Sequence, residues 1–413
     1  MSLPRMARTV SIFTCLAMIL AGLPGCGPKG PAPYPDWRLE ADTDAKGAFA
    51  DYVEAGLQVQ KEVGKVADRK DYFDTQRQLI MGATNRVEPL LRRASMQPID
   101  FTSEKLGPFE PSPRREGWRL IGLGLQYATM LAIKEKDFDK AIRLTILASR
   151  FGYDLTGGDT LDATIGYAIA GGCRQVMAPV LDDLSDAQLT TLENGLRGAI
   201  GRIQPLRVTM AHERVKMRIA IQYLQDQYRI NEFDGMHAML GPTTREAIDY
   251  LRELRAKDHS ERPRYFAGFV AEADSEVDRV NSWGVRPANR RPTEKELNEE
   301  DRKAKYRPWK RFASQLLRGP RHFLPIRDRA LAQVRLFAQE ARLTLLARRG
   351  QLPDTLPKDD PFLTTDPFSG EPFKYSSRTG YYDLYSLGAN MLDDSGLTNS
   401  SYTMPDLRLE RPR

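Results

Sequence analysis

The sequence predicts a mainly α-helical protein: an irregular α-helical array followed by a small C-terminal α+β module, a helix with a short antiparallel sheet. Three observations predict it. Apolar residues recur at intervals of three and four from about Ala45 to Ser282. The period changes to alternation only near the end, around Phe373, Tyr375, Tyr382, Leu384 and Leu387. The composition, 41% hydrophobic and 28% charged over 413 residues, supports a buried core and excludes a wholly disordered or multi-pass membrane chain.

The elements follow in order. Ala45 to Ala67 and Asp71 to Ser95 read as two helices with one charged side. A Pro- and Gly-bearing loop covers Gln97 to Pro113. Trp118, Ile121, Leu125, Tyr127, Leu131 and Ile133 mark a long apolar helix, in which Gly122 and Gly124 admit a close neighbour. The chain turns at Lys136-Asp137-Phe138-Asp139, and Ala141 to Phe151 is the next helix. Gly157-Gly158-Asp159 breaks the pattern before a helix from Thr160 to Leu181. Ser185 and Gln188 stand at capping-box spacing ahead of Leu189, Leu192, Leu196, Ile200 and Ile203, which share one face. Pro205 opens a helix through Tyr228, Thr243 or Thr244 caps another to Ala256, and Arg262 to Ser282 is a further one. The stretch Lys134 to Gly152 resembles one tetratricopeptide-like helix pair. A solenoid needs several stacked copies, so a single one leaves the array irregular. In a solenoid the use would be protein binding on a concave face.

The first 26 residues read as an export signal. Arg5 and Arg8 precede an apolar run, Val10 to Leu20, that is short for a bilayer span of about 20 residues. The run ends in Leu23-Pro24-Gly25-Cys26, which resembles the bacterial lipobox, with Pro24 where a small residue is usual. The resemblance implies lipid on Cys26 and an address in the cell envelope, anchored to a membrane and facing periplasm or cell surface. An ordinary secretory signal with a chance Cys is the alternative. Gly27 to Pro35 is a Gly/Pro-rich tether. Residues 1–25 are then the signal, 26–44 the anchor and tether, and 45–283 the helical domain. With Cys15 removed and Cys26 blocked, Cys173 has no disulfide partner.

The net charge of +6 is concentrated. Residues 284–327 hold thirteen Lys and Arg against five acids, so this one segment carries +8. Thr293-Glu294-Lys295-Glu296 is a capping box for a short helix to about Lys305. Trp309 and Phe312 lie among basic residues. A solvated linker is one reading, and a contact with anionic lipid or wall polymer is the other. Nucleic acid is not expected, because no nucleic-acid motif accompanies the charge in a chain read as exported.

Asp328 to Arg349 is again helical, and Gly350 stops it. Gly350-Gln351-Leu352-Pro353 follows, then Asp366-Pro367-Phe368-Ser369-Gly370-Glu371-Pro372-Phe373-Lys374-Tyr375, then Tyr385-Ser386-Leu387-Gly388-Ala389-Asn390 and Asp393-Asp394. This order of short motifs resembles the C-terminal half of the type II secretion major pseudopilins. It is also similar to the tails of an uncharacterised family of exported proteins of planctomycete-type bacteria. The pseudopilin resemblance implies, for residues 328–413, a helix on a small sheet with a disordered tail. It also implies a Ca²⁺ loop with ligands from the Leu387 carbonyl, Asn390, Asp393 and Asp394. Asn390 stands where that family has Asp, and a plain turn with solvated acids is the other reading. The N-terminal assembly helix of a pilin is missing, so pseudopilus assembly is not implied.

Enzyme signatures are sparse. His212-Glu213 begins a zinc-protease pattern, but Lys216 stands where the second His belongs. His237, His259 and His322 have no metal-ligand spacing, and Gly122-Leu123-Gly124 lacks the rest of a dinucleotide motif. No catalytic residue is assigned. The sequence leads to a membrane-anchored envelope lipoprotein with a non-enzymatic binding or structural role and an envelope protein as partner. The alternative is an exported hydrolase acting on wall or surface polymers, for which a close pair of buried carboxylates in a cleft is the expected sign.

Overall fold

The computed structural model describes residues 47–63, 73–99, 101, 112–230, 262–303, 318–357, 360–378, 381–393 and 406–409. Among these the chain forms eleven α-helices and one two-stranded antiparallel sheet near the C-terminus. The signal, Cys26, the tether, the Thr243–Ala256 helix, Trp309, Phe312, Asp394 and Gly380, expected as the turn between the two strands, lie outside the described residues.

The first six helices are α1 (Gly47–Val63), α2 (Phe73–Ala94), α3 (Pro113–Lys134), α4 (Phe138–Asp154), α5 (Thr160–Met177) and α6 (Asp186–Ile200). α1 with α2 and α3 with α4 pack as hairpins, α5 packs on α3 and α4, and α6 packs on α4. Local chemistry sets their ends. Ser112 and Asp137 cap α3 and α4 through the amides of Arg115 and Lys140. Lys136 takes a left-handed φ of 60° in the turn between them. Asp159 with Asp162, and Ser185 with Gln188, form reciprocal capping boxes on α5 and α6.

The helices stack in register. Contacts between α3 and α5 join Arg115 to Asp162, Gly122 to Ile169, and Thr129 to Cys173. Their sequence separation stays between 44 and 47, so the two helices run parallel. Asp139 meets Gln188, and Ile146 meets Gly195, so α4 and α6 are parallel as well. α1, α3 and α5 thus form one layer and α2, α4 and α6 the other. The array is irregular, as the single helix-pair signature implies: α6 packs on α4 rather than pairing with α5.

Glycines let backbones meet. A Cβ at Gly117 would collide with the Gly56 backbone on α1. A Cβ at Gly152 or Gly166 would strike the other's carbonyl across α4 and α5. Around these crossings lies a core of Phe49, Tyr52, Leu91, Trp118, Ile121, Leu125 and Phe151. Trp118 is fully buried, and its indole N–H donates to the Tyr52 carbonyl at 2.8 Å.

The stack is then interrupted by α7 (Leu206–Ile230) and α8 (Arg262–Gly284), an antiparallel pair joined by Arg218 to Asp274 at 2.6 Å and by Arg214 to Asp278. It resumes with α10 (Arg318–Arg348), which lies against α5 and α6. Tyr167 meets Phe323, and Arg174 meets Gln333, so α10 continues the layer of α1, α3 and α5, parallel to α5. This helix begins ten residues before the expected Asp328 and runs through Pro325. Proline favours a helix end locally, but Phe323 and Leu324 are buried in the core and carry the helix past it.

The described parts of 284–327 are built into the body. The Thr293–Glu296 capping box is present, and α9 (Glu294–Lys303) follows it. Ala288 and Asn289 donate to the Pro367 and Phe368 carbonyls. Arg291 clasps Asp328, and Arg321 clasps Glu276. After α11 (Pro361–Thr364), β1 (Lys374–Arg378) pairs antiparallel with β2 (Tyr381–Tyr385), Tyr375 opposite Leu384. Tyr382 anchors this hairpin to α10 by donating to Glu340 at 2.6 Å.

Candidate functional site

The densest polar cluster lies where α3, α5 and α7 meet. Arg115 donates to Asp162 at 2.6 Å and to Asp159 at 2.7 Å. Lys216 lies 3.3 Å from Asp159 and 3.9 Å from Glu213. Glu213 in turn accepts from the Thr160 amide at 3.1 Å and its hydroxyl at 2.8 Å. Burial works to raise Asp159, but Lys216 and Arg115 outweigh it and hold the carboxyl far below the usual range. A general acid needs the opposite shift. The cluster therefore ties the N-terminal ends of α3 and α5 to α7, with Asp159 held ionised. Sequence reading missed it, although Asp159-x-x-Asp162 has capping-box spacing and Glu213 and Lys216 sit one turn apart.

A second buried carboxylate, Asp154, accepts from Tyr52 at 2.6 Å and from Arg202 at 2.7 Å on each oxygen. Burial raises its pKa, and the bonds from Arg202 and Tyr52 oppose that. It too is fully engaged, within a bidentate clamp that leaves little room for a reacting group.

The zinc-protease pattern does not assemble. Lys216 pairs with Glu213, and the His212 ring packs edge-on to Phe101 at 6.1 Å. Cys173 is fully buried, and burial pushes its thiol up to about 12 against a weak bond from Thr129. A maleimide should leave Cys173 unmodified in the native body and label it promptly in denaturant. Rapid native labelling would contradict this burial.

In the tail, Asp366 organises the loop expected to hold Ca²⁺. Its carboxylate accepts from the Ser386 hydroxyl at 2.9 Å and from the amides of Leu387 at 3.1 Å and Phe368 at 2.9 Å. Asn390 accepts from the Leu392 amide at 3.1 Å. Asp393 accepts from the Tyr385 hydroxyl at 2.9 Å and lies 3.5 Å from the Lys374 ammonium. A cation at Asp393 would compete with Lys374, and the fourth expected ligand, Asp394, is outside the described residues. Among the described residues no group of three or more His, Cys, Asp or Glu side chains is placed to hold a metal ion.

What remains is a surface. On α3, Leu120, Leu123, Tyr127, Met130 and Leu131 fall on the side away from the buried Trp118, Ile121, Leu125 and Ala132. Leu123 is 40% exposed and Leu131 39%. Arg77 of α2 lies 4.8 Å over the Tyr127 ring. The same side of α5 carries only small or polar residues at Thr164, Ala168, Gly171, Gly172 and Gln175. Continuous exposed apolar stripes on a helix mark contact sites more often than isolated leucines do. Among the described residues no helix is long and apolar enough to cross a membrane. No family model, curated protein or solved structure matches this chain.

Proposed function

We propose that the protein is a membrane-anchored envelope lipoprotein with a non-enzymatic role, holding another envelope protein on the exposed side of the layer formed by α1, α3, α5 and α10. The observation that carries the reading is the parallel layer of α1, α3, α5 and α10, a surface with a partly exposed apolar stripe on α3 in which Leu123 and Leu131 are exposed. Stacked helix hairpins bind partners through such a layer. The engagement of Asp159, Asp162, Glu213 and Asp154 in ion pairs and hydrogen bonds favours this reading over a hydrolase. The lipobox-like Leu23 to Cys26 supplies the anchor, since several acyl chains hold a protein on a membrane where one is marginal.

Two measurements test it together. Cys26→Ser should move the protein from the membrane to the soluble fraction and abolish its labelling by a radioactive fatty acid. In mild detergent, the wild type should migrate on native gels well above its 46.7 kDa chain mass, in a complex that holds another envelope protein. Wild type without lipid label, or a lone monomer under all extraction conditions, would refute the corresponding half.

A further inference from the structure

We infer that the surface of α5, walled by α3 and α10, is a groove for one amphipathic helix of an envelope partner, with an Asp or Glu of that helix paired to Arg174 and Arg329. This rests on the scaffold reading and names the chemistry of the partner.

Three parallel helices shape the groove. Its floor is Thr164, Ala168, Gly171, Gly172 and Gln175 of α5, where Ala168 and Gln175 are exposed. On one side, a Cβ at Gly172 would meet Gln126 at 3.2 Å, which places the α3 row Leu123, Gln126 and Met130 along the floor. On the other, a Cβ at Gly171 would meet the Arg174 guanidinium at 3.8 Å, and Arg174 donates to Gln333 of α10 at 2.8 Å. Gln333 continues the α10 row Ile326 and Arg329 at spacings of three and four, with Ile326 40% exposed and Arg329 exposed. Leu123 and Met130 on one wall and Ile326 on the other are apolar walls over a floor that is small at Ala168, Gly171 and Gly172. Thr164 to Gln175 spans about 16 Å at ~1.5 Å per residue, or three helical turns. Around Ala168, Gly171 and Gly172 the floor lets a partner helix approach to about 8 Å between axes.

The charge selects the occupant. Arg174 is only 8% exposed, and its hydrogen bond goes to a neutral amide. Neither it nor Arg329 forms an ion pair with a described carboxylate. Burial lowers Arg174 to about 10, Tyr153 opposes that, and Arg329 adds a smaller repulsion. A buried cation flanked by another cation is costly and is relieved by an incoming carboxylate. An apolar helix face with one acid fits both the walls and the charge.

The full chain in its native envelope supplies the test. A photoreactive phenylalanine analogue is placed at Ala168 in the floor and, as a control, at exposed Asn194 of α6 in the other layer. Cross-linked peptides are then read by mass spectrometry. The expected adduct at Ala168 is one protein segment with apolar residues at helical spacing and an Asp or Glu within a turn. Arg329→Glu, a surface change, should cut its yield at least tenfold with an unchanged melting temperature, and Arg174→Gln should cut it similarly. Adducts from Asn194 alone would overturn the groove and leave the scaffold standing. No protein adduct at either site would overturn both. A lipid adduct, a segment without an acid, or a yield insensitive to Arg329→Glu would overturn the proposed pairing.

Discussion

Gly117→Ala should unfold the N-terminal half of the stack at markedly lower denaturant than wild type, with a loss of at least about 3 kcal/mol, the upper end of overpacking costs. The reason is that the new methyl group meets main chain. Its Cβ would overlap the carbonyl of Gly56, and neither helix can yield without moving Trp118, whose indole is bonded to the Tyr52 carbonyl. A flexible side chain in the same place would swing aside. The control is Gly198→Ala on α6, an exposed helical position where a Cβ meets nothing within 4 Å. That change should raise stability by roughly 0.5–1 kcal/mol, because alanine loses less backbone freedom in a helix. Urea melts followed by circular dichroism separate the two. A neutral Gly117→Ala would show that α1 and α3 do not cross at these glycines.

Arg202→Met should cost about 3–5 kcal/mol at pH 7, the range for removing one partner of a buried ion pair. The Asp154 side chain is 1% exposed and would keep only the Tyr52 hydroxyl as a described side-chain partner. The loss should also depend on pH. In wild type, burial already sets the folded pKa of Asp154 above its unfolded value of about 3.9. The native state therefore holds more protons in that window, so the group favours folding most at low pH and less as pH rises through the folded pKa. Without Arg202 the folded pKa rises further, and the penalty for ionising grows. The variant should lose more stability relative to wild type at pH 7 than at pH 4. An equal loss at both would mean that the guanidinium contributes packing alone.

Much of the secondary structure is legible because its causes are local. The Ser185–Gln188 box, the Thr293–Glu296 box, the break at Gly157-Gly158-Asp159 and the turn at Lys136 act within a few residues, and each is present. The helix–sheet tail is legible too, in the change of period near Phe373. The start of α10 is not, because Pro320 and Pro325 argue against a helix that buried Phe323 and Leu324 sustain. The role of Asp366 is equally hidden. Its partners Ser386 and Leu387 lie about twenty residues further on, and only the folded tail brings them to one carboxylate.

The sequence by itself determined the helical class, most element ends, the basic concentration at 284–327 and the lipobox-like start. Each depends on spacing or composition that a linear chain displays. Tertiary structure decided the parallel layering of α1, α3, α5 and α10, and with it the groove over Ala168. Gly117 against Gly56, and Arg174 against Gln333, are separated by 61 and 159 residues. No local propensity encodes such a pair. It arises when backbones pack as closely as their glycines allow, and an exposed apolar stripe becomes a surface only once the helices beside it are in place.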